Sequence, residues 1–375
     1  MNFDIITTTE QLQQRCDSAR TQAAVMLDTE FVRTRTLYPR LGLIQLFDGE
    51  HLSLIDPLEI DDMEPLWALL RDQSVIKVLH ACGEDLEVFQ HHAGCLPTPM
   101  LDTQLMAAFL GHGISTGFGA LVKEYIGIEL DKGEARTNWL ARPLTAKQLD
   151  YAAADVYYLK PLYETLLAKV EATGYMEALQ QECNSVMLRR IKPVDPEKAY
   201  LDIKNAWQLN PSQLAVLQKV AAWRVREAQK RDIALNFIVK ELHLWKLARF
   251  NIKSRAGLEK EGFEPMEIQR HGNRLLKMVH DCDRIAVQDY PAKIERLVDF
   301  PGYKQMVKYI KDVVTEVEKE TGLAPEFLAS KKQIHQVLSW AWKHGRREDK
   351  RPEMLKNWRR DLFEQRVLTI LDEKA

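Results

Sequence analysis

The hydrophobic pattern of this chain changes period once, near Gly174, and that change limits it to an α/β region followed by an all-helical one. Ahead of Gly174, residues 23–27, 41–47, 51–55 and 75–80 are short runs rich in Val, Ile and Leu and read as strands. Phe47-Asp48-Gly49-Glu50 supplies a hairpin turn between the second and third runs. Residues 61–71, 84–92, 102–110, 119–126 and 145–170 carry helical periodicity. Strands in early succession with helices between the later ones predict a mixed sheet flanked by helices.

Beyond Gly174 the strand signals fade. Residues 182–190 read as the tail of a helix, and residues 192–196 as a rigid polar linker. From there the pattern is helical, with turns at Asn210-Pro211, at 260–262 and at 300–302. A weak repeat runs through this half at an offset of about ninety residues. It aligns Pro211 with Pro301, Leu217 and Val220 with Val307 and Ile310, Leu244 with Ile334, and Arg270 with Arg360. Phe237-Ile238-Val239 falls on Phe327-Leu328-Ala329. Tandem copies of one small bundle are the expected result. The expected division is 1–175 for the α/β domain, 176–207 for a tail and linker, and 208–289 and 297–375 for two helical bundles.

Composition narrows the class. A net charge of −2 hides an uneven division: residues 1–190 hold 16 Lys+Arg against 27 Asp+Glu, and the rest hold 36 against 27. An acidic part suited to metal chemistry beside a basic part suited to a polyanion fits that division, as do ordinary solvated helix faces. The five scattered cysteines form no CxxC pair, which speaks against a zinc site or a disulfide framework. The segment MNFDIITTTEQ does not have the layout of a signal peptide, and no apolar run is long enough to span a bilayer. A cytoplasmic protein without a membrane partner is expected.

The chemistry concentrates in four carboxylates. Asp28 and Glu30 lie two apart at the end of a strand, so both project from one face. Tyr151 and Asp155, four apart in a helical segment, stack on one helix face. Asp85 begins another helix. Four carboxylates in one pocket would repel and raise one another's pKa. Divalent cations remove that penalty, and oxygen-only ligands favour Mg²⁺ or Mn²⁺. Two ions roughly 3.5–4 Å apart suit in-line displacement at phosphorus. Taken singly, each element is more often a solvated acid or packed helix face, and spacing alone does not bring the three segments together.

The motifs LDTEF (27–31), HAxxEDLEVF (80–89) and QLDYAAADVYYL (148–159) resemble the DEDD exonuclease superfamily, in its tyrosine branch. The longer stretches VMLDTEFVRTRTLYPRLGLIQLFDG and TNWLARPLTAKQLDYAAADV resemble the bacterial ribonuclease D family. Trp223-Arg224, Arg231-Asp232, Asn236-Phe237-Ile238-Val239 and His271-Gly272 resemble the HRDC domain, with a more divergent second copy behind it. The resemblance implies a ribonuclease H-like α/β exonuclease domain followed by all-α helical bundles. It implies a 3′→5′ exoribonuclease that releases 5′-monophosphates and matures tRNA precursors and other small stable RNAs. Asp28 would bridge two divalent ions, Glu30 and Asp155 complete the first site, and Asp85 hold the second. Tyr151 would orient the attacking water, being a poor base at its ordinary pKa near ~10. A monomer acting on RNA with a free 3′ end is expected.

Further residues are candidates on weaker grounds. Arg33, Arg35 and Arg40 follow the first acidic strand and suit phosphate contact, though exposed loop arginines need have no such role. Gln45 and Tyr38 are candidates for sugar or base contact. His80 either faces the site or is a hydrogen-bonded structural histidine. Asp102 fits a helix N-cap. The tryptophans of the helical half fit packing. Its basic runs at 224–226, 230–231, 331–332, 346–347 and 359–360 suit phosphate backbone contact. Two other functions compete: a DNA 3′→5′ exonuclease, since no residue announces a 2′-hydroxyl contact, and a non-catalytic RNA-binding protein, against which the complete acidic set argues.

Overall fold

Six strands form one sheet in the order β1-β4-β3-β2-β5-β6 in the computed structural model, which describes every residue except 132, 135, 192, 374 and 375. They are β1 (Asp4–Ile6), β2 (Ala24–Val32), β3 (Arg40–Phe47), β4 (Leu52–Ile55), β5 (Ile76–Leu79) and β6 (Met100–Asp102). β3 runs antiparallel to both β2 and β4, while β1–β4, β2–β5 and β5–β6 pair in parallel. Helices flank this sheet: α1 (Thr9–Ala19), α2 (Glu64–Arg71), α3 (Gly83–Ala93), α4 (Thr103–Phe109), α5 (Phe118–Ile126), α6 (Ala146–Thr173) and α7 (Met176–Arg190). The mixed sheet expected from periodicity is present, and its centre is the apolar run Val25-Met26-Leu27 beside Leu43, Ile44 and Leu46, all buried.

The short parallel strands β1 and β6, and helix α1, were not among the predicted elements. Three residues are too few to display a period of two. Their parallel neighbours, distant in the chain, place them in the sheet.

α6 crosses β2, β3 and β4. A capping box starts it, with Thr145 Oγ1 accepting from Gln148 N and the Gln148 side chain accepting from Thr145 N. Phe47 stacks on Tyr157 of α6, ring centroids 5.8 Å apart, so alternate residues of β3 counted from Phe47 face this helix. Gly49 turns the β3–β4 hairpin at φ 99°, and a Cβ there would come within 2.7 Å of the Lys160 side chain of α6.

The described chain divides into two compact units. One contains the sheet, its helices and residues 300–375; the other contains residues 192–299 with residues 33–38. In the first, residues 300–375 fold as α14 (Tyr303–Thr321), α15 (Pro325–Leu328), α16 (Lys331–Lys343) and α17 (Arg360–Glu373), following the numbering of the second unit. They are fastened to the sheet region through Phe109 of α4, which packs edge-on against Phe327 at 4.8 Å and lies 5.0 Å from Trp358.

The second unit contains α8 (Pro211–Arg231), α9 (Leu235–Ile238), α10 (Glu241–Arg249), α11 (Arg255–Lys260), α12 (Pro265–Glu267) and α13 (Asn273–Cys282). Leu214, Leu217, Val220, Leu244, Leu247, Leu258 and Leu275 are among its fully buried core residues. Segment 33–38 packs here: Leu37 N and Tyr38 N donate to Asp232 Oδ1 at 3.1 and 3.0 Å, and Arg35 lies over the Phe237 ring at 5.8 Å.

The repeat read from the sequence coincides with elements. α9 and α15 occupy equivalent positions, as do α10 and α16, and Val220/Ile310, Ile238/Leu328 and Leu244/Ile334 are buried pairs. The copies differ at Phe237, 54% exposed, whose equivalent Phe327 is 1% exposed against Phe109. The five cysteines are unpaired and all but Cys95 are buried. Among the described residues no helix is long and apolar enough to cross a membrane.

Candidate active site

Strand alternation in β2 puts Asp28 and Glu30 on one face, and a bulge follows directly at Glu30/Phe31. α6 lies across that face and brings Asp155 to them. Carboxylate oxygens of Asp28, Glu30 and Asp155 all lie within 4.8 Å of one another. Asp85, in the first turn of α3, is buried beside them and accepts a hydrogen bond from Thr29 Oγ1. The turn before α3 is held by Asp102, whose carboxylate accepts from Ala81 N at 3.0 Å, Cys82 N at 2.9 Å and Gln104 N at 2.7 Å. Asp102 therefore caps α4, as its position in the sequence suggests, and also fixes Ala81 at φ 53° so that α3 presents Asp85.

Burial and mutual repulsion push these acids upward. Glu30 is raised to about 10, first by burial and then by Asp28, Asp155 and Asp85. Asp155 is raised to about 7, chiefly by burial. Burial, followed by neighbouring carboxylates, holds Asp28 and Asp85 well above the ordinary range. Carboxyl groups crowded this way bind either protons or cations. An all-oxygen donor set of this kind fits a hard divalent ion.

Tyr151 sits one turn before Asp155 on α6, and burial, then Asp155, raises its phenol further from ionisation. Trp139, 1% exposed, lies 6.2 Å from the Tyr151 ring. Its backbone presses so closely on Gly42 that a Cβ there would meet the Trp139 carbonyl at 2.5 Å. Neither Trp139 nor Thr29 was singled out by sequence reasoning, although both stand inside the stretches that carry the motifs. A cavity of about 160 Å³ opens beside the acids, lined by Asp28, Tyr151, Asp155, His80, Phe118 and Leu159. His80 thus reaches the site's wall, while its Nδ1 pairs with Thr103 Oγ1 at 2.9 Å and burial lowers its pKa.

Several weaker expectations need correction. Gln45 was expected at a sugar or base, but it is 0% exposed beneath α6, out of a substrate's reach. Arg33 and Arg35 lie in segment 33–38 of the second compact unit, where Arg35 stands over the Phe237 ring. Two arginines of the basic runs are buried and engaged: Arg224 donates to Val239 O at 3.1 Å and Arg359 to Phe327 O at 2.8 Å. Arg346 and Arg347 pair with Asp372 and Asp349. Lys331 and Lys332 remain exposed.

Family models match three segments: a 3′-5′ exonuclease over residues 3–171, an HRDC domain over 213–279, and the C-terminal HRDC domain of ribonuclease D over 301–367. The chain is 48% identical to ribonuclease D of Escherichia coli K12, covering 100% of this chain and 99% of that protein. Against ribonuclease D of Haemophilus influenzae the identity is 44%, covering 98% and 92%. The crystal structure of Escherichia coli RNase D, described as an exoribonuclease involved in structured RNA processing, superposes with a TM-score of 0.96 at 48% identity over 100% of this chain and 99% of that one. A protein from Bifidobacterium adolescentis shares the fold at 18% identity, with a TM-score of 0.71 over 98% of this chain and 97% of that one. With the exonuclease and HRDC matches in this order and full-length similarity to ribonuclease D, the chain belongs to the ribonuclease D family of metal-dependent 3′→5′ exoribonucleases.

Proposed function

We propose that Asp28, Glu30, Asp85 and Asp155 hold two Mg²⁺ or Mn²⁺ ions, with which the protein removes nucleotides from the 3′ end of RNA as 5′-monophosphates. The observation that carries this reading is the convergence of Asp28, Glu30 and Asp155 oxygens within 4.8 Å. When bound, such ions supply an activated water and charge stabilisation for the leaving 3′ oxygen. The protein's own residues do the rest. Asp28, Glu30 and Asp155 hold one position, and Asp85, fixed by Thr29, holds the second with Asp28. Tyr151 keeps its proton, so it orients the attacking water by hydrogen bonding instead of deprotonating it. His80 and Phe118 border the cavity next to the acids and position the terminal nucleotide.

The substrates we propose are tRNA precursors and other small stable RNAs with a free 3′ end, handled by a monomer in the cytoplasm. The domains are 1–175 for chemistry, 176–207 as tail and linker, and 208–289 and 297–375 as bundles, of which exposed bases such as Lys331 and Lys332 contact the backbone.

Matched 5′-labelled RNA and DNA oligomers, each with a free or phosphorylated 3′ end, test this with Mg²⁺ or EDTA. The reading expects RNA shortened stepwise from a free 3′ end, with 5′-monophosphates released and no reaction in EDTA. Equal degradation of DNA would transfer the protein to the DNA reading. Cation-independent cleavage would remove the acids from the chemistry.

A further inference from the structure

Gln45 lies directly opposite Asp28 in the antiparallel β2–β3 pair. Cross-strand partners project from the same face with Cβ atoms roughly 4.5–5.5 Å apart. Phe47, two residues on and hence on that face, stacks against Tyr157 of α6. The Gln45 side chain is therefore enclosed between the sheet and the helix that carries Asp155. It is 0% exposed, and neither its Nε2 nor its Oε1 has a hydrogen-bond partner among the described residues.

A buried carboxamide in that state is costly. Each unsatisfied polar atom costs about 1–3 kcal/mol, and an apolar side chain of the same shape is neutral or stabilising by comparison. The neighbouring sheet positions on the same face follow the apolar rule: Leu43, two residues before it, and Leu54, directly across on β4, are buried and aliphatic. A glutamine in this row is a local inconsistency of the kind that marks functional positions. The polar groups its register places next to it are Asp28, directly across, and Glu30, across from Leu43.

We propose that Gln45 is a positioning residue for the acidic site: its carboxamide hydrogen-bonds the Asp28 carboxylate, directly or through one water, when a divalent cation is held there. This rests on the metal-site reading given above. Residues that orient a ligand from outside are worth about 10–100-fold in metal affinity. Gln45→Met keeps the length and volume of the side chain and removes both its donor and its acceptor.

Mn²⁺ titration of chelator-treated protein, by calorimetry or electron paramagnetic resonance, is the readout, beside thermal unfolding in EDTA. Gln45→Met is expected to weaken Mn²⁺ binding about 10–100-fold while leaving the EDTA melting temperature unchanged or higher. Wild-type Mn²⁺ affinity in Gln45→Met overturns the proposal, whichever way the melting temperature moves. In the wild-type protein, the assigned Gln45 side-chain amide resonance is expected to shift on Mg²⁺ addition; no shift overturns it without recourse to a variant. Asp28→Asn separates the two readings. If Asp28→Asn loses Mn²⁺ and Gln45→Met does not, the role of Gln45 alone falls. If Asp28→Asn binds as wild type, the metal site falls and Gln45 with it.

Discussion

Glu182 of α7 and Arg359, just before α17, form an ion pair in which each side chain is only 7% exposed. Trp358 Nε1 donates to the same carboxylate at 3.0 Å, and Arg359 Nε reaches Leu328 O at 3.0 Å. Burial pushes Glu182 upward, but the Arg359 guanidinium, the hydrogen bonds from Trp358 and Arg359, and Arg189 together hold it below its ordinary pKa of 4.5. A depressed carboxyl stabilises the fold above its unfolded pKa, so this contribution is present at neutral pH and is lost progressively as pH falls below 4.5. Arg359→Ala takes the nearer guanidinium from a buried carboxylate, leaving it Arg189 at 3.4 Å and Trp358, and is expected to cost up to about 3–5 kcal/mol in urea unfolding. The double variant Glu182→Leu/Arg359→Met is expected to regain most of that loss, because no charge is then stranded.

Residues 300–375 consequently support the exonuclease fold as well as any RNA they touch. A chain ending at residue 299 would uncover Phe109, now 1% exposed, and take Arg359 and Trp358 from Glu182. Its sheet unit is expected to melt on the order of 10 °C lower than in the full chain. Circular dichroism melting of the two chains checks this; equal melting temperatures would reduce the last bundle to an appendage.

The crowded acids give a pH signature without metal. Carboxyls whose folded pKa is raised favour the fold while protonated, so stability falls as pH rises from their unfolded values toward the folded ones. For Asp155 that window runs from 3.8 to about 7, and for Glu30 from 4.5 to about 10. In EDTA the melting temperature is expected to decline across this range. Saturating Mn²⁺ is expected to flatten the decline and to release protons on binding near pH 7, measurable by calorimetry in buffers of different ionisation enthalpy.

Tyr151 offers a hydrogen bond and not a base. Tyr151→Phe is expected to lower kcat about a hundredfold with little change in Mn²⁺ affinity. A retained pH-rate profile between pH 7 and 10 in this variant would agree with a phenol that stays protonated in the wild type.

Much of the site was readable because local periodicity decides it. Asp28 and Glu30 share a face by strand alternation, and Tyr151 and Asp155 by helical spacing. Their meeting was carried by resemblance, since nothing in the spacing of residues 28, 85 and 155 brings β2, α3 and α6 together. Gln45 was misplaced because its partner strand, not its own sequence, decides that it is covered by α6. Arg224 and Arg359 looked free for phosphate as charges in a string; tertiary packing buries each against a backbone carbonyl. β1 and β6 escaped because three residues hold too little pattern to read.

The central claim is that the Asp28–Glu30–Asp155 cluster acts through divalent cations on RNA 3′ ends. Single-turnover hydrolysis of a 5′-labelled RNA by wild type and Asp28→Asn, followed across a Mn²⁺ titration, tests it most directly. Wild type is expected to shorten the RNA one nucleotide at a time in proportion to Mn²⁺ occupancy, and Asp28→Asn, although folded, to be slower by about a thousandfold or more. Comparable rates in the two proteins, or shortening that persists in EDTA, would contradict the account.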